Sequence, residues 1–273
     1  TATDAWYLLG GTHYLYHFSC CDESDPTDLD NGGVVTTASA ITYGLDAYWT
    51  WPCAAGTFSA DGYEHGDAVD AVDDVDAVID GLRDGDGLPS EVEALLEGVV
   101  SAGEVGLLGH SFGVTTINTV HREDDRVAAL MALAGPLNLF GEAPAEEVEV
   151  PLLTLRSTED NTIGSVGNEL ILSQFEQVPR DKWFIDIRDA GHYSFLDICG
   201  LTEQFDTGCG EDQRQTDPAA LFSYLAPARA RALTATYAVG FFSLMLKDDE
   251  RGRVLLAESV DDAVIGPEFT AAP

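Results

Sequence analysis

The sequence predicts an α/β fold whose mostly parallel central sheet carries helices on both faces, and two observations support this. Four short apolar runs follow one another along the chain, separated by segments long enough for a helix. A longer apolar segment near the C-terminus has a face wide enough to cover a sheet. Strands that alternate with helices are typical of a parallel sheet covered on both faces. The four apolar runs are residues 105–109, 127–134, 150–156 and 182–188.

Helices and one hairpin are predicted around these runs. Residues 67–83 place Val, Ile and Leu side chains three and four positions apart, which puts them on one helix face with aspartates on the other. Near the N-terminus, Gly10 and Gly11 separate two strand-like segments, 6–9 and 13–19, as a turn would. The predicted helices are residues 67–83, 90–100, 112–121, 167–178, 218–224 and 228–246.

The length and organisation predict a single domain. The chain has 273 residues, 45% of them hydrophobic, which is enough to bury one sizeable core. We expect one domain over residues 1–273, in which residues 1–47 are an N-terminal part without a firm assignment. No long insertion separates the runs at 127–134 and 150–156, so no large lid is expected there. The chain begins at Thr1 without a signal-peptide pattern, which predicts a mature or trimmed form.

The charge balance excludes several classes of partner. Asp and Glu number 48 against 13 Lys and Arg, which gives a formal net charge of −35 at pH 7. Such a surface repels nucleic acid and anionic membranes. Lysine occurs only as Lys182 and Lys247, which predicts adaptation to concentrated salt; the alternative is an ordinary acidic secreted protein. The apolar stretch 232–246 is shorter than the roughly 20 residues of a membrane helix, so no membrane span is expected.

The cysteines predict an oxidising compartment. Cys199 and Cys209 bracket a short loop that a disulfide could close, and Cys20 or Cys21 could reach Cys53. Two disulfides with one remaining thiol would fit a secreted, periplasmic or extracellular protein, whereas the alternative is five buried free thiols. The sequence contains no CxxC pair, which argues against a zinc site, and we expect no metal.

A candidate nucleophile lies directly after the first apolar run. The segment Gly109-His110-Ser111-Phe112-Gly113 matches the pattern G-x-S-x-G. In a tight strand–turn–helix this pattern exposes the serine oxygen at the sheet edge and directs a helix N-terminus at the reacting carbonyl. We expect Ser111 to be the nucleophile and the backbone N–H of Phe112 to be one oxyanion donor; the alternative is a chance Gly-Ser turn. His110 is expected to pack below the turn without a catalytic role.

The base and the acid are predicted from the order of residues along the chain. A serine hydroxyl needs a base, and the base needs an orienting carboxylate. His192 is the one histidine after His121, and it follows the run at 182–188, so we expect it to be the general base. The acid should follow the preceding strand. Asp160 is the expected acid, and Glu159 is its close rival because a shift of one residue redirects the side chain.

The second oxyanion donor stays open between two alternatives. It usually comes from a loop after an upstream strand, which is often marked by His-Gly. The sequence has no His-Gly pair at that place. The candidates are the backbone near residues 19–21 and the turn at residues 31–33.

Three segments carry a family resemblance: residues 107–113, the triplet Thr158-Glu159-Asp160, and residues 190–195. They resemble the α/β-hydrolase superfamily, and within it the branch of dienelactone-hydrolase-like proteins, platelet-activating-factor acetylhydrolases and bacterial polyester hydrolases. The resemblance covers roughly residues 48–250. It implies the α/β-hydrolase fold with no metal and no organic cofactor. Val114 departs from the pattern, because a second glycine often follows the elbow there.

These residues predict a serine hydrolase that cleaves carboxylic esters through an acyl-enzyme. Neutral short-chain or polymeric esters are the expected substrates, because no large lid is predicted and the acidic surface repels anions. Two alternatives remain from the sequence. One is lactone or amide cleavage by the same triad, and the other is a non-catalytic hydrolase-fold module used in adhesion or assembly. The sequence indicates no particular oligomeric state.

Overall fold

A computed structural model of the chain shows two compact units, Thr1–Asp80 and Gly81–Pro273. The predicted helix at 90–100 lies outside the residues that the structure describes, and one domain over the whole chain stays a prediction. The described residues are 5–8, 15–18, 72, 75, 76, 78–81, 104–139, 141, 143–196, 199 and 206–272.

The first unit contains the predicted N-terminal hairpin. Strand β1 (Ala5–Leu8) pairs with strand β2 (Leu15–Phe18) in antiparallel register, with Ala5 opposite Phe18. Both predicted strands are therefore confirmed, because Ala5–Leu8 overlaps the predicted segment 6–9 and Leu15–Phe18 lies within the predicted segment 13–19.

The described residues between 72 and 81 are helical, as the spacing of apolar residues predicted. Val72 and Ile79 are buried, whereas Asp80 is exposed. Because positions seven apart lie on one face of a helix, the apolar side of this segment is the buried side.

Among the described residues, a five-stranded sheet forms the centre of the second unit. Its strands, in spatial order, are β3 (Val105–His110), β4 (Val127–Leu133), β5 (Leu152–Ser157), β6 (Lys182–Ile187) and β9 (Val264–Thr270). The first four strands are parallel and coincide with the four apolar runs, which confirms the prediction of a mostly parallel sheet. Strand β9 runs antiparallel to β6 at the edge.

Strand β9 is not predicted from the sequence, because Gly266 and Pro267 interrupt its apolar pattern. Its register shifts by one residue against β6 between Phe184 and Asp186, which is a β-bulge. A proline and a bulge are both tolerated on an edge strand, where one side of the backbone has no ladder to complete. Pairing with β6 therefore makes a strand of a segment that its local pattern does not mark.

Helices cover both faces of the sheet, as predicted. A Cβ on Gly106 would lie 2.3 Å from the Phe242 ring of helix α3 (Pro227–Lys247), whereas a Cβ on Gly109 would lie 2.2 Å from Gly113 O in helix α1 (Phe112–Glu123). Positions 106 and 109 point to opposite faces of a strand, so α1 and α3 lie on opposite sides. Helix α2 (Gly164–Gln177) packs by Phe175 against Phe184 of β6. Helix α4 (Arg251–Ala257) follows α3 in the chain.

The main core lies between the sheet and the long helix α3. Tyr237 and Phe241 of α3 are fully buried there, and the Phe241 ring meets the edge of Trp183 of β6 at 5.7 Å. The Tyr237 hydroxyl donates to Glu258 O at 2.8 Å, which satisfies its polar end. Each large apolar side chain buried in this way contributes roughly 1.5–3 kcal/mol relative to exposure. Residues 228–246 are therefore helical, as predicted, and hold the sheet from one side.

The helix predicted at residues 218–224 is wrong. This segment contains strand β8 (Leu221–Ser223), which pairs antiparallel with strand β7 (Glu211–Gln213). Phe222 is buried between exposed neighbours, which is the two-residue alternation of a strand. A segment of this length offers too few residues to tell that period from a helical one.

The connection between β4 and β5 contains a single short 3-10 turn, Ala145–Glu147, among its described residues. Ala143, Ala145 and Val148 of this connection are buried, so it packs onto the body of the unit rather than standing away from it. No helix in the described parts of the chain is long and apolar enough to cross a membrane.

Candidate active site

Ser111 lies at the turn between β3 and α1 in a strained backbone conformation, with φ 56° and ψ −124°. Its backbone N–H donates to Leu133 O at 2.9 Å, and its carbonyl accepts from Val114 N–H at 3.0 Å. A non-glycine residue in such a conformation costs roughly 1–3 kcal/mol, which the surrounding structure must offset. The expected strand–turn–helix elbow is present and holds the serine at the carboxyl end of the sheet.

Two glycines make this turn sterically feasible. A Cβ on Gly109 would lie 2.2 Å from Gly113 O, and a Cβ on Gly135 would lie 2.2 Å from Ser111 O. Gly113, in contrast, meets no described atom within 4 Å of the position that a Cβ would take. Gly135 is not predicted from the sequence as part of the site, although a glycine just after a strand that neighbours the elbow can indicate a close backbone approach. The elbow thus depends on Gly109 and on Gly135, which follows the neighbouring strand β4.

His192 lies within hydrogen-bonding distance of both proposed partners. It begins the 3-10 turn His192–Phe195 that follows β6. The Ser111 hydroxyl donates to His192 Nε2 at 2.8 Å, and His192 Nδ1–H donates to Asp160 Oδ2 at 2.8 Å. The His192 side chain is only 2% exposed. The structure therefore brings together three residues that are far apart in the sequence.

Asp160 is fully buried and its two oxygens are well supplied with donors. Oδ1 accepts from the backbone N–H groups of Thr162 and Ile163, each at 3.1 Å. Oδ2 accepts from the Ser157 hydroxyl at 3.1 Å in addition to His192. A buried carboxylate that accepts several hydrogen bonds keeps its orientation, and it can fix the orientation of an imidazole through the ring's Nδ1–H.

Glu159, the rival acid, points away from His192. Its Oε1 accepts from Arg214 Nη1 at 2.7 Å, and its Oε2 accepts from Gln215 N–H at 2.9 Å. The loop after β5 therefore places Asp160, and not Glu159, beside the imidazole. Sequence order alone left this choice open because adjacent residues in a loop have no fixed orientation.

His110 is partly buried beside His192, with the two ring centroids 4.8 Å apart. Its Nε2–H donates to the backbone carbonyl of His192 at 2.8 Å. Desolvation, followed by repulsion from His192, lowers the pKa of His110 to about 3. The ring is therefore neutral at neutral pH and fits the expected packing position next to the elbow.

Phe112 is the first residue of α1, so its backbone N–H belongs to the positive end of that helix. The sequence predicts an oxyanion donor at this position. Both candidates for a second donor, at residues 19–21 and 31–33, lie outside the described residues. In the part of the chain that is described, no group of three His, Cys, Asp or Glu side chains is placed to hold a metal ion.

One of the predicted disulfides is present. Cys199 and Cys209 are bonded, with their Cα atoms 5.9 Å apart. Cys20, Cys21 and Cys53, the other expected partners, lie outside the described residues. The bonded pair closes the loop that leads from the His192 turn into the β7–β8 hairpin.

A mostly parallel sheet, helices on both faces and a serine elbow between strand β3 and helix α1 define the α/β-hydrolase fold. The chain is similar in structure to a ferulic acid esterase from Streptomyces cinnamoneus, with 27% sequence identity and a TM-score of 0.50. The match covers 70% of this chain and 52% of that chain, so this chain spans about half of the esterase. This likeness supports membership of the α/β-hydrolase superfamily. No protein-family model matches the sequence, and no curated protein matches it.

Proposed function

We propose that this protein is a serine hydrolase that cleaves carboxylic esters with Ser111, His192 and Asp160. The observation that carries the proposal is the continuous pair of 2.8 Å hydrogen bonds from Ser111 Oγ through the His192 ring to Asp160. Nucleophile, base and orienting acid within hydrogen-bond reach are the geometry that acyl transfer requires. The similarity to a ferulic acid esterase supports an ester as the substrate class.

In the first half of the proposed reaction, Ser111 Oγ attacks the ester carbonyl while His192 Nε2 takes the hydroxyl proton. Asp160 accepts the hydrogen bond from Nδ1–H, which keeps the imidazole in the tautomer whose Nε2 can accept a proton. It also stabilises the imidazolium that forms. The backbone N–H of Phe112 donates to the developing oxyanion, and each such donor contributes roughly 3–4 kcal/mol in serine hydrolases.

In the second half, the alcohol leaves with the proton that His192 returns to it. His192 then takes a proton from water, which attacks the acyl-enzyme and releases the acid. These steps use three side chains and a backbone N–H of this chain together with one water molecule, and they require neither a metal nor an organic cofactor. The near-complete burial of His192 and Asp160 favours these reaction steps, because the interaction between the two side chains is stronger away from bulk water.

Neutral esters with a short or polymeric acyl part are the proposed substrates. The connection between β4 and β5 packs on the body of the unit and forms no large lid among its described residues. The net charge of −35 disfavours anionic substrates. We place the protein in the branch of dienelactone-hydrolase-like proteins, platelet-activating-factor acetylhydrolases and bacterial polyester hydrolases. The Cys199–Cys209 disulfide supports a secreted or extracellular location.

Labelling with a fluorophosphonate probe tests the nucleophile. We expect the wild-type protein to label and Ser111→Ala to lose labelling completely. Ser173→Ala, in the exposed part of α2, is the matched control and should label like wild type. Labelling that persists in Ser111→Ala, or a wild-type protein that neither labels nor turns over any ester, would overturn the proposal in favour of a non-catalytic module.

A substrate panel tests the reaction class. We expect p-nitrophenyl acetate and butyrate, and methyl ferulate, to be hydrolysed faster than a matched anilide and a γ-lactone. A preference for the anilide or the lactone would assign the same three residues to amide or lactone cleavage. A strong preference for long-chain p-nitrophenyl esters would contradict the proposed short-chain or polymeric specificity.

A further inference from the structure

Two loops carry the proposed acid and base, and one segment of the chain contacts both. Asp160 lies in the loop after β5, and His192 follows the loop after β6. Residues 206–225, which include the β7–β8 hairpin, are called the strap here. The strap is cross-linked through Cys209 to Cys199, so its beginning is covalently tied near the His192 turn.

Arg214 of the strap forms ion pairs with both loops through one nitrogen atom. Its Nη1 lies 2.7 Å from Glu159 Oε1 and 2.8 Å from Asp189 Oδ1. Glu159 is the immediate neighbour of Asp160, and Asp189 lies three residues before His192. Among the described residues, Arg214 is the cationic side chain that bridges the acid loop and the base loop.

The strap holds Arg214 firmly in this position. Its backbone N–H donates to Ala220 O at 3.0 Å across the hairpin, and its guanidinium stacks over the Phe222 ring at 4.7 Å. The Glu159 carboxylate also accepts from the Gln215 N–H at 2.9 Å. A planar guanidinium held on an aromatic ring loses little further freedom when it binds two carboxylates.

Further hydrogen bonds run from the strap to the same two loops and to the turn that begins at His192. Thr207 O accepts from Tyr193 N–H at 2.8 Å, and Gly208 O accepts from the Ser194 hydroxyl at 2.7 Å. Leu225 N–H donates to Asp189 O at 2.7 Å. Gln215 Nε2 donates to the carbonyl oxygen of Asp160 itself. The strap thus contacts the residues that flank the proposed base as well as the proposed acid.

We propose that Arg214 is a positioning residue that sets the separation of Asp160 and His192 by tying their loops together. The inference rests on the proposed function of these two residues. Arg214 touches neither of the two side chains and acts through Glu159 and Asp189. Asp189 has a positive φ of 57°, a conformation that a non-glycine residue adopts at a cost, and its ion pair with Arg214 helps to hold it.

The expected effect is on catalysis more than on global stability. Arg214 and Asp189 are each about a third exposed, with side chains 35% and 30% accessible, so solvent weakens this pair. The partly exposed Arg214–Asp189 pair contributes little to the free energy of unfolding. Glu159 is more buried, with its side chain 8% exposed, but it keeps the Gln215 N–H donor when Arg214 is replaced. A triad hydrogen bond, in contrast, depends steeply on separation, and a misplacement of about 1 Å can lower the rate about 100-fold.

The test compares Arg214→Gln with Arg253→Gln, a matched loss of one exposed arginine of α4, which pairs with Glu250 just before that helix. Active sites are counted by fluorophosphonate titration, so that kcat refers to folded, reactive enzyme. We expect Arg214→Gln to lower kcat per titrated site at least about tenfold while KM changes less than about threefold. Arg253→Gln should keep both constants. Arg214→Lys should recover part of kcat, because lysine restores the positive charge but not the planar guanidinium with its several N–H donors.

A double-mutant comparison isolates the two ion pairs. Glu159→Gln combined with Asp189→Asn should lower kcat by a similar factor, and adding Arg214→Gln to it should change kcat less than about twofold. The inference would be overturned if Arg214→Gln kept the wild-type kcat per titrated site, or if Arg253→Gln lost as much kcat as Arg214→Gln. It would also be overturned if the losses in kcat of the single and combined variants simply multiplied. Wild-type enzyme that neither labels nor hydrolyses esters would instead overturn the proposed function.

Discussion

The His110 ring donates its Nε2–H to the backbone carbonyl of His192 at 2.8 Å, which links the residue before the proposed nucleophile to the proposed base. Because that nitrogen donates to a carbonyl oxygen, it must carry the ring proton. The pKa of His110 is lowered from 6.5 to about 3, mainly by desolvation. The ring therefore stays neutral over the range in which a typical histidine becomes charged.

Acid should destabilise the protein in part through His110. The unfolded chain binds a proton at this residue below about pH 6.5, while the folded protein stays unprotonated there until about pH 3. The free energy of unfolding therefore decreases as the pH is lowered from about 6.5 to about 3. At pH 5 the contribution is on the order of 2 kcal/mol relative to pH 7. His110→Gln should show a correspondingly smaller loss, measured by urea unfolding at both pH values. The pKa of His121 is lowered by burial with the same sign, but it is common to both proteins. Equal pH dependence in the two proteins would show that His110 is not responsible.

Replacing each of the two adjacent acids should separate their roles. Asp160→Asn removes the acceptor that holds the His192 tautomer and should lower kcat roughly 10,000-fold. Glu159→Gln keeps the triad and weakens only one arm of the Arg214 bridge, so we expect a loss of at most about tenfold. Steady-state kinetics on p-nitrophenyl acetate, corrected by active-site titration, provide the comparison. A larger loss in Glu159→Gln than in Asp160→Asn would reverse the assignment of the acid.

The two glycines of the elbow motif should respond differently to alanine. A Cβ on Gly109 would lie 2.2 Å from backbone oxygen, so Gly109→Ala must displace α1 and should lower the free energy of unfolding by several kcal/mol. Gly113 lies in the first turn of α1 and meets no described atom at the Cβ position. Gly113→Ala should therefore raise the free energy of unfolding by about 0.5–1 kcal/mol through helix propensity. Urea unfolding of both variants measures this difference. Similar destabilisation of the two variants would contradict the prediction.

Salt should stabilise the protein. Of its two lysines, Lys182 is buried and donates to three backbone carbonyls of residues 175, 176 and 178, which leaves Lys247 as the exposed lysine. With a net charge of −35, repulsion among surface carboxylates is strong and is screened within about 10 Å at 0.1 M salt. We expect Tm to rise steadily as NaCl increases from about 0.1 M to about 2 M. Sucrose at equal osmolality serves as the uncharged control, and a salt-independent Tm would contradict adaptation to concentrated salt.

The Cys199–Cys209 bond should contribute moderately to stability. It closes a loop with a sequence separation of 10, for which the entropy of loop closure predicts about 2–3 kcal/mol. The double variant Cys199→Ser with Cys209→Ser should unfold at correspondingly lower urea than the oxidised wild-type protein. Unchanged unfolding would mean that the folded contacts of the strap already hold this loop without the bond.

Local sequence patterns were sufficient for the elements with clear periodicity, and insufficient where pairing decides the structure. The four parallel strands coincide with their apolar runs because a buried strand is apolar along its whole length. Strand β8, in contrast, was predicted as a helix because only its three paired residues distinguish it. Strand β9 is not predicted because a glycine and a proline interrupt its apolar pattern, although the segment pairs with β6 in the structure.

The sequence by itself determined the fold class, the serine elbow and the identity of the one downstream histidine, since these follow from residue type and order along the chain. Only the tertiary structure decided that Asp160 rather than Glu159 faces His192, that Gly135 gives Ser111 its room, and that Arg214 spans two loops. The physical reason is that the orientation of a loop side chain depends on hydrogen bonds and ion pairs with residues far away in sequence. No local period records such contacts.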